Sequence, residues 1–187
     1  MRLMPLLLMT CVICLFFAGC QKNKDIRDGI ISMQSSKVTI DEDSILCVNG
    51  ESIFIEHTPQ FRLVVYVDSS ECSSCSINQL KYWQSFMSKY NSQSNIQLLI
   101  LLEAKKGEIP SIEGDIASAE LNNIIFIDSN FVFRRQNPQI PPNSMYHTFL
   151  LNEMDSVVLV GNPLRNGRVE KMFEKIIEWQ SGSTIVR

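Results

Sequence analysis

The chain has 187 residues, a net charge of −3 and six cysteines. That length suits one domain with a sizeable core. So small a charge names no partner class, and without a long basic run nucleic-acid binding has no support. The N-terminus reads "MRLMPLLLMTCVICLFFAGCQKNKD". Arg2 is a minimal positive segment, Leu3 to Phe17 are apolar and uncharged, and the small residues Ala18 and Gly19 precede Cys20. This is the pattern of a signal peptide over residues 1–19. The apolar run is at the short end of the roughly 17–25 residues that span a bilayer, so an uncleaved anchor is the competing reading. Either way the body of the protein is expected outside the cytoplasm, tied to a membrane at its N-terminus.

A cysteine at the cleavage point resembles a bacterial lipobox, with Phe17 in place of the usual Leu. The resemblance implies a lipid on Cys20, which makes the protein a domain on a leash rather than a membrane-spanning one. Processing would discard Cys11 and Cys14 and keep Cys20, Cys47, Cys72 and Cys75. With Cys20 lipidated, three thiols remain.

"QKNKDIRDG", Gln21 to Gly29, is polar and reads as the start of a tether over residues 20–35. "SKVTIDED" and "SILCVNGESIFIEH" alternate apolar and polar residues around Asn49-Gly50, the strongest short hairpin signal, so residues 36–60 are expected as a β-hairpin extension. Cys47 is expected as a buried strand cysteine. "FRLVVYVD", Phe61 to Asp68, is a Val-rich run expected of a strand buried on both faces. Ile77, Leu80, Trp83, Met87 and Tyr90 recur at helical spacing and predict a helix from about Cys72 to Tyr90. "NIQLLILLEA" predicts a second strand, "GEIPSIEGDIASAELNN" a loop with a short helix, and "NIIFID" a third strand. After a Pro-rich loop, "HTFLLNEMDSVVLVG" reads as strand, turn and strand. "RVEKMFEKIIEWQ" closes the chain as a helix with Val169, Met172, Phe173, Ile176, Ile177 and Trp179 on its apolar side. This order implies an α/β sandwich with a central mixed β-sheet flanked by helices.

Cys72-Ser-Ser-Cys75 stands where the first buried strand bends into the helix. A thiol with a pKa near 8.5 needs activation before it exchanges disulfides, and the unpaired N–H groups of a helix N-terminus stabilise a thiolate. Cys72 would attack, and Cys75, one turn on, would resolve the mixed disulfide. Three-residue spacing puts both sulfurs on one side of the first turn. Ser73 and Ser74 can donate hydrogen bonds to a thiolate.

A buried strand, C-x-x-C opening a helix, and a later "TFLL…VVLVG" hairpin before a terminal helix together resemble the thioredoxin fold. More narrowly, they resemble the membrane-tethered extracytoplasmic thiol-disulfide oxidoreductases of the TlpA type, common as lipoproteins in Bacteroidetes. The resemblance covers roughly Phe61 to Gln180, with residues 61–187 as the thioredoxin-like domain. It implies exchange with protein thiols and disulfides of the cell envelope, in the direction of reduction or isomerisation, with no cofactor. Three departures stand out. Glu71 replaces the usual aromatic residue before the first cysteine, and an adjacent carboxylate disfavours the thiolate. Ser74 replaces a frequent proline. His147, followed by Thr148, holds the place of the cis-proline that faces the dithiol. A non-proline cis bond costs roughly 2.5–4 kcal/mol, so a trans peptide is expected there, and an imidazolium near the thiolate would favour it.

Two other readings of Cys72 and Cys75 remain open. They can form a structural disulfide in a redox-inactive binding or assembly module. They can also bind a metal, but zinc generally takes four ligands and only His57, His147 and Cys47 could join them, so no metal is expected. No phosphate loop, G-x-S-x-G or paired-carboxylate arrangement points to hydrolase chemistry.

Overall fold

A computed structural model describes residues 24–48, 59–71, 73–90, 96–119 and 124–183. Six strands form one open mixed sheet in the order β1-β4-β3-β2-β5-β6. They are β1 (Leu46–Val48), β2 (Phe61–Val67), β3 (Ile96–Glu103), β4 (Ile124–Asp128), β5 (Thr148–Asn152) and β6 (Val157–Val160). β2, β3 and β4 run parallel, and β5, β6 and β1 are antiparallel to their neighbours. The helices are α1 (24–33), α2 (Ser73–Met87), α3 (Ile109–Ser118), α4 (Val132–Gln136) and α5 (Gly167–Ser183).

β2 shows why the sheet is two-sided. Alternate residues of a strand face opposite ways. Phe61, Leu63, Val65 and Val67 pack with Ile77, Leu80, Trp83 and Phe86 of α2, Ile112 and Ile116 of α3, and Phe173 and Ile177 of α5. Val64 and Tyr66 join the opposite core, with Met33 of α1, Phe133 of α4 and Tyr146. Burying each such apolar side chain is worth about 1.5–3 kcal/mol, so the continuous apolar run is stable only as a central strand. The strands expected from Phe61 onward, α2, the short helix and the closing helix all form, with ends shifted by a few residues. α2 stops at Met87, and Tyr90 packs just beyond it against Phe86 and Phe173. On α5, Met172 points to solvent, against expectation. The side chain of Trp179 lies outside the described residues.

The N-terminal segment differs most from its reading as a tether. Residues 24–33 form α1, and Met33 is fully buried against the sheet. Tyr146 Oη lies 3.4 Å from the carbonyl oxygens of Asp25 and Ile26. Gly29 sits so close to the Tyr146 ring that a Cβ there would come within 2.6 Å of it. The charged residues of this stretch are one face of an amphipathic helix, which composition alone does not distinguish from a linker.

Residues 35–38 then run along the outer edge of β6, through Ser35 N–H to Val157 O (2.9 Å) and Val38 N–H to Asp155 O (2.9 Å). This covers an edge that would otherwise be open to another strand. The chain crosses to the other edge, where β1 pairs with β4. The Asn49-Gly50 turn and the second arm of the expected hairpin lie outside the described residues, as does His57. Cys47 is on β1 as expected but exposed, because β1 is the edge strand. No helix among the described residues is long and apolar enough to cross a membrane.

Tyr90 ties α2 to α5 by donating its hydroxyl to Glu174 Oε1 at 3.3 Å. Burial, then the Glu174 carboxylate, push the Tyr90 hydroxyl up to about 12 from 10.0. The folded chain keeps this proton where the unfolded chain has lost it, so this part of the stability falls as pH rises through that window. Tyr90→Phe should cost toward the low end of about 0.5–1.5 kcal/mol at neutral pH. It should also make the alkaline decline shallower, as read by urea unfolding at a series of pH values.

Candidate active site

β2 ends at Val67, and the turn from Asp68 to Glu71 leads into α2. Asp68 builds that turn. Its Oδ1 accepts the Ser70 N–H at 2.7 Å and the Ser70 hydroxyl at 2.5 Å, while its carbonyl accepts the Glu71 N–H at 3.0 Å. An aspartate that bonds the backbone two residues on is a common way to start a turn. Burial works to raise the Asp68 carboxyl, but the Ser70 hydroxyl and N–H, His147 and Arg134 together hold it below its usual value. Cys72 lies outside the described residues, as do the side chains of Ser73, Ser74 and Cys75. The backbone of Ser73 to Cys75 forms the first turn of α2, so the helix begins between the two cysteines.

Facing this turn is the loop before β5. A short 3-10 turn, Ser144–Tyr146, is capped by Asn143, whose Oδ1 accepts the Met145 N–H at 3.0 Å. It delivers His147 and Thr148, both buried, to the start of β5. Tyr66 N–H donates to His147 O at 2.8 Å, and Val65 is in register with Thr148. The described residues contain no cis peptide, so the bond before His147 is trans, as expected.

His147, 3% exposed, meets the Asp68–Glu71 turn. Its Nδ1 is 3.5 Å from Glu71 Oε1 and 4.0 Å from Asp68 Oδ2, and its Nε2 is 3.1 Å from Pro141 O. Its ring lies 4.6 Å from that of Tyr66. Beside this cluster is a groove of about 280 Å³, lined by Glu71, Ser76, Trp83, His147, Thr148 and Arg165 among others. Arg165 is held to α2 by a 2.9 Å bond to Gln79. Of the residues expected at the site, Glu71, His147 and Thr148 are therefore brought together beside the start of α2.

Behind them is a layer the sequence reading did not single out. Asp68 follows β2, Glu103 ends β3 and Asp128 ends β4, with Glu103 in register with Asp128. Glu103 is fully buried. Arg134 of α4 bonds both of its oxygens, with Nε to Oε1 at 3.2 Å, and reaches Ser69 Oγ at 3.3 Å. The Tyr66 hydroxyl is pushed well above its usual range, first by burial and then by its hydrogen bond to Glu103. Asp128 accepts the Phe133 N–H at 2.8 Å and the Asn130 N–H at 3.2 Å, which anchors the start of α4. The signal was present in the sequence: each of the three apolar runs ends in an acidic residue. Ligands and reacting groups gather at the carboxyl ends of parallel strands.

No family model matches the chain, and no curated protein sequence does. Solved structures share the fold at low identity. The solution structure of an uncharacterized thioredoxin-like protein from Porphyromonas gingivalis matches 72% of this chain and 87% of its own, at 14% identity and a TM-score of 0.50. The thioredoxin domain of a thiol-disulfide oxidoreductase from Bacteroides vulgatus matches 77% and 97%, at 16% identity and a TM-score of 0.50. A PrxQ mutant from Xylella fastidiosa matches 77% and 95%, at 14% identity and a TM-score of 0.50. The chain has a thioredoxin-like fold, a mixed sheet flanked by helices.

Arg134→Ala should leave the Glu103 carboxylate buried without its cation. The guanidinium side chain is 55% exposed, so the loss should be about 1–3 kcal/mol, less than that of breaking a fully buried pair. Urea unfolding at neutral pH measures it.

Proposed function

We propose that this chain is an envelope thiol-disulfide oxidoreductase of the membrane-tethered TlpA type, anchored by a lipid on Cys20. Its substrates are the thiols and disulfides of other envelope proteins. One observation carries the reading: the fifteen-residue helix α2 starts between Cys72 and Cys75, beside a groove whose far wall is His147 and Thr148. A helix N-terminus packed on a central sheet stabilises a thiolate there, and the groove gives a partner chain access to it. The thioredoxin-like fold and the oxidoreductase named from Bacteroides vulgatus are consistent with this chemistry.

In the reducing direction, the Cys72 thiolate attacks one sulfur of a partner disulfide. The other partner sulfur leaves as a thiolate and takes up a proton. Cys75 then loses its proton and attacks the Cys72 sulfur, which releases the second partner thiol. The partner gains two electrons, and Cys72 and Cys75 become a disulfide. The reverse sequence oxidises a partner dithiol. Ser73 and Ser74 are assigned to stabilising the thiolate, while Glu71, His147 and Thr148 shape the groove. No cofactor enters this scheme.

The docking of α1 shortens the leash. If Cys20 carries the lipid, only residues 21–23 separate it from the described start of α1. Each spans at most about 3.5 Å, so the domain would work close to the bilayer rather than on a long tether.

Cys75→Ser should accumulate a mixed disulfide between Cys72 and a model protein substrate, and Cys72→Ser should reduce disulfide exchange to background. Both variants should keep the wild-type far-ultraviolet dichroism. If both lose exchange only because they unfold, the pair is a structural staple and the chain is a binding module.

A further inference from the structure

We propose that Asp68, Glu71 and His147 form a binding site for a divalent transition cation, with zinc as its representative. The three ligand atoms lie within 4.8 Å of one another. In a tetrahedral zinc site with bonds of about 2.0–2.1 Å, ligand atoms are about 3.3 Å apart. The His147 Nδ1 to Glu71 Oε1 distance of 3.5 Å is already close to this, and the 4.0 Å to Asp68 Oδ2 requires a small closure.

Two features beyond proximity point to a cation. The first is the buried histidine. Both ring nitrogens face acceptors: Nε2 lies 3.1 Å from Pro141 O, and Nδ1 lies 3.5 Å from Glu71 Oε1 and 4.0 Å from Asp68 Oδ2, so a cation suits the space between Nδ1 and the carboxylates. A histidine whose second nitrogen is held by a backbone carbonyl is the usual arrangement of a metal ligand. The second feature is Asp68. Ser70 occupies its Oδ1 twice, so its Oδ2 is left turned toward His147. Ligating carboxylates are held in this way by their outer neighbours.

A divalent ion would balance the charges of the two carboxylates. One nitrogen with two carboxylate oxygens suits zinc and neighbouring transition ions, and three protein ligands leave a position open for water. An occupied site would also cancel the negative field of Glu71 beside Cys72. That consequence, unlike the binding, rests on the proposed dithiol chemistry.

The test keeps the Cys72 and Cys75 thiols out of the measurement. Zinc chloride is titrated calorimetrically into the full chain carrying Cys72→Ser and Cys75→Ser, then into the same protein with Glu71→Gln or His147→Asn added. One zinc per chain is expected in the first protein, with affinity lower by at least about tenfold in each of the others. Glu71 is on a partly exposed turn, so its variant remains informative if loss of the buried His147 ring unfolds the chain. No saturable binding to the protein lacking Cys72 and Cys75, or affinity unchanged by Glu71→Gln, would overturn the proposal. Failure of the dithiol chemistry would leave this result unaffected.

Discussion

One backbone hydrogen bond, Tyr66 N–H to His147 O at 2.8 Å, brings the two halves of the site together. It continues the β2–β5 ladder one residue past Val65–Thr148, where β2 is about to turn into α2. The residues that bend toward α2 and the residues that arrive at β5 are therefore neighbours by register. A slip of one residue in that ladder would turn His147 to the opposite face of the sheet. The two-sided burial of β2 prevents the slip, because every residue from Leu63 to Val67 is already placed in one core or the other.

That burial creates a second requirement. Three apolar parallel strands finish side by side, and the polar chain that leaves them must be satisfied without water. Asp68, Glu103 and Asp128 answer it by accepting N–H groups from the turns that follow or lie beside them. Arg134 and Ser70 in turn hold Glu103 and Asp68. Negative charge is thus built in close to the start of α2. A helix N-terminus offers the opposite sign, and His147 stands between the two. Its tilted contact with the Tyr66 ring and its bond to Pro141 O leave the imidazole little freedom to turn away.

The fold was largely legible because its signals are local. A Val-rich run marks β2, a three- and four-residue apolar spacing marks α2, and the Asn152–Ser156 turn marks the last hairpin. That Glu71, His147 and Thr148 lie near one another was also legible, from their places relative to the C-x-x-C and the "TFLL" strand. Asp68, Glu103 and Arg134 were not, since Arg134 is 31 residues from its partner Glu103 and meets it only through sheet register. α1 was misread because a helix docked by Met33 and by the Gly29–Tyr146 approach has the composition of a linker. Cys47 was placed on the right element but the wrong side of burial, because nothing local in its sequence says that β1 is an edge.

The reading of the whole chain depends on whether Cys72 and Cys75 exchange electrons or merely join two points of the chain. The reduction potential of the pair, by thiol trapping across dithiol/disulfide buffers, separates these directly. A reversible two-electron transition between about −120 and −270 mV is expected, the span from strong oxidants to thioredoxin. A pair that stays oxidised below about −300 mV would behave as a structural disulfide and would contradict the account.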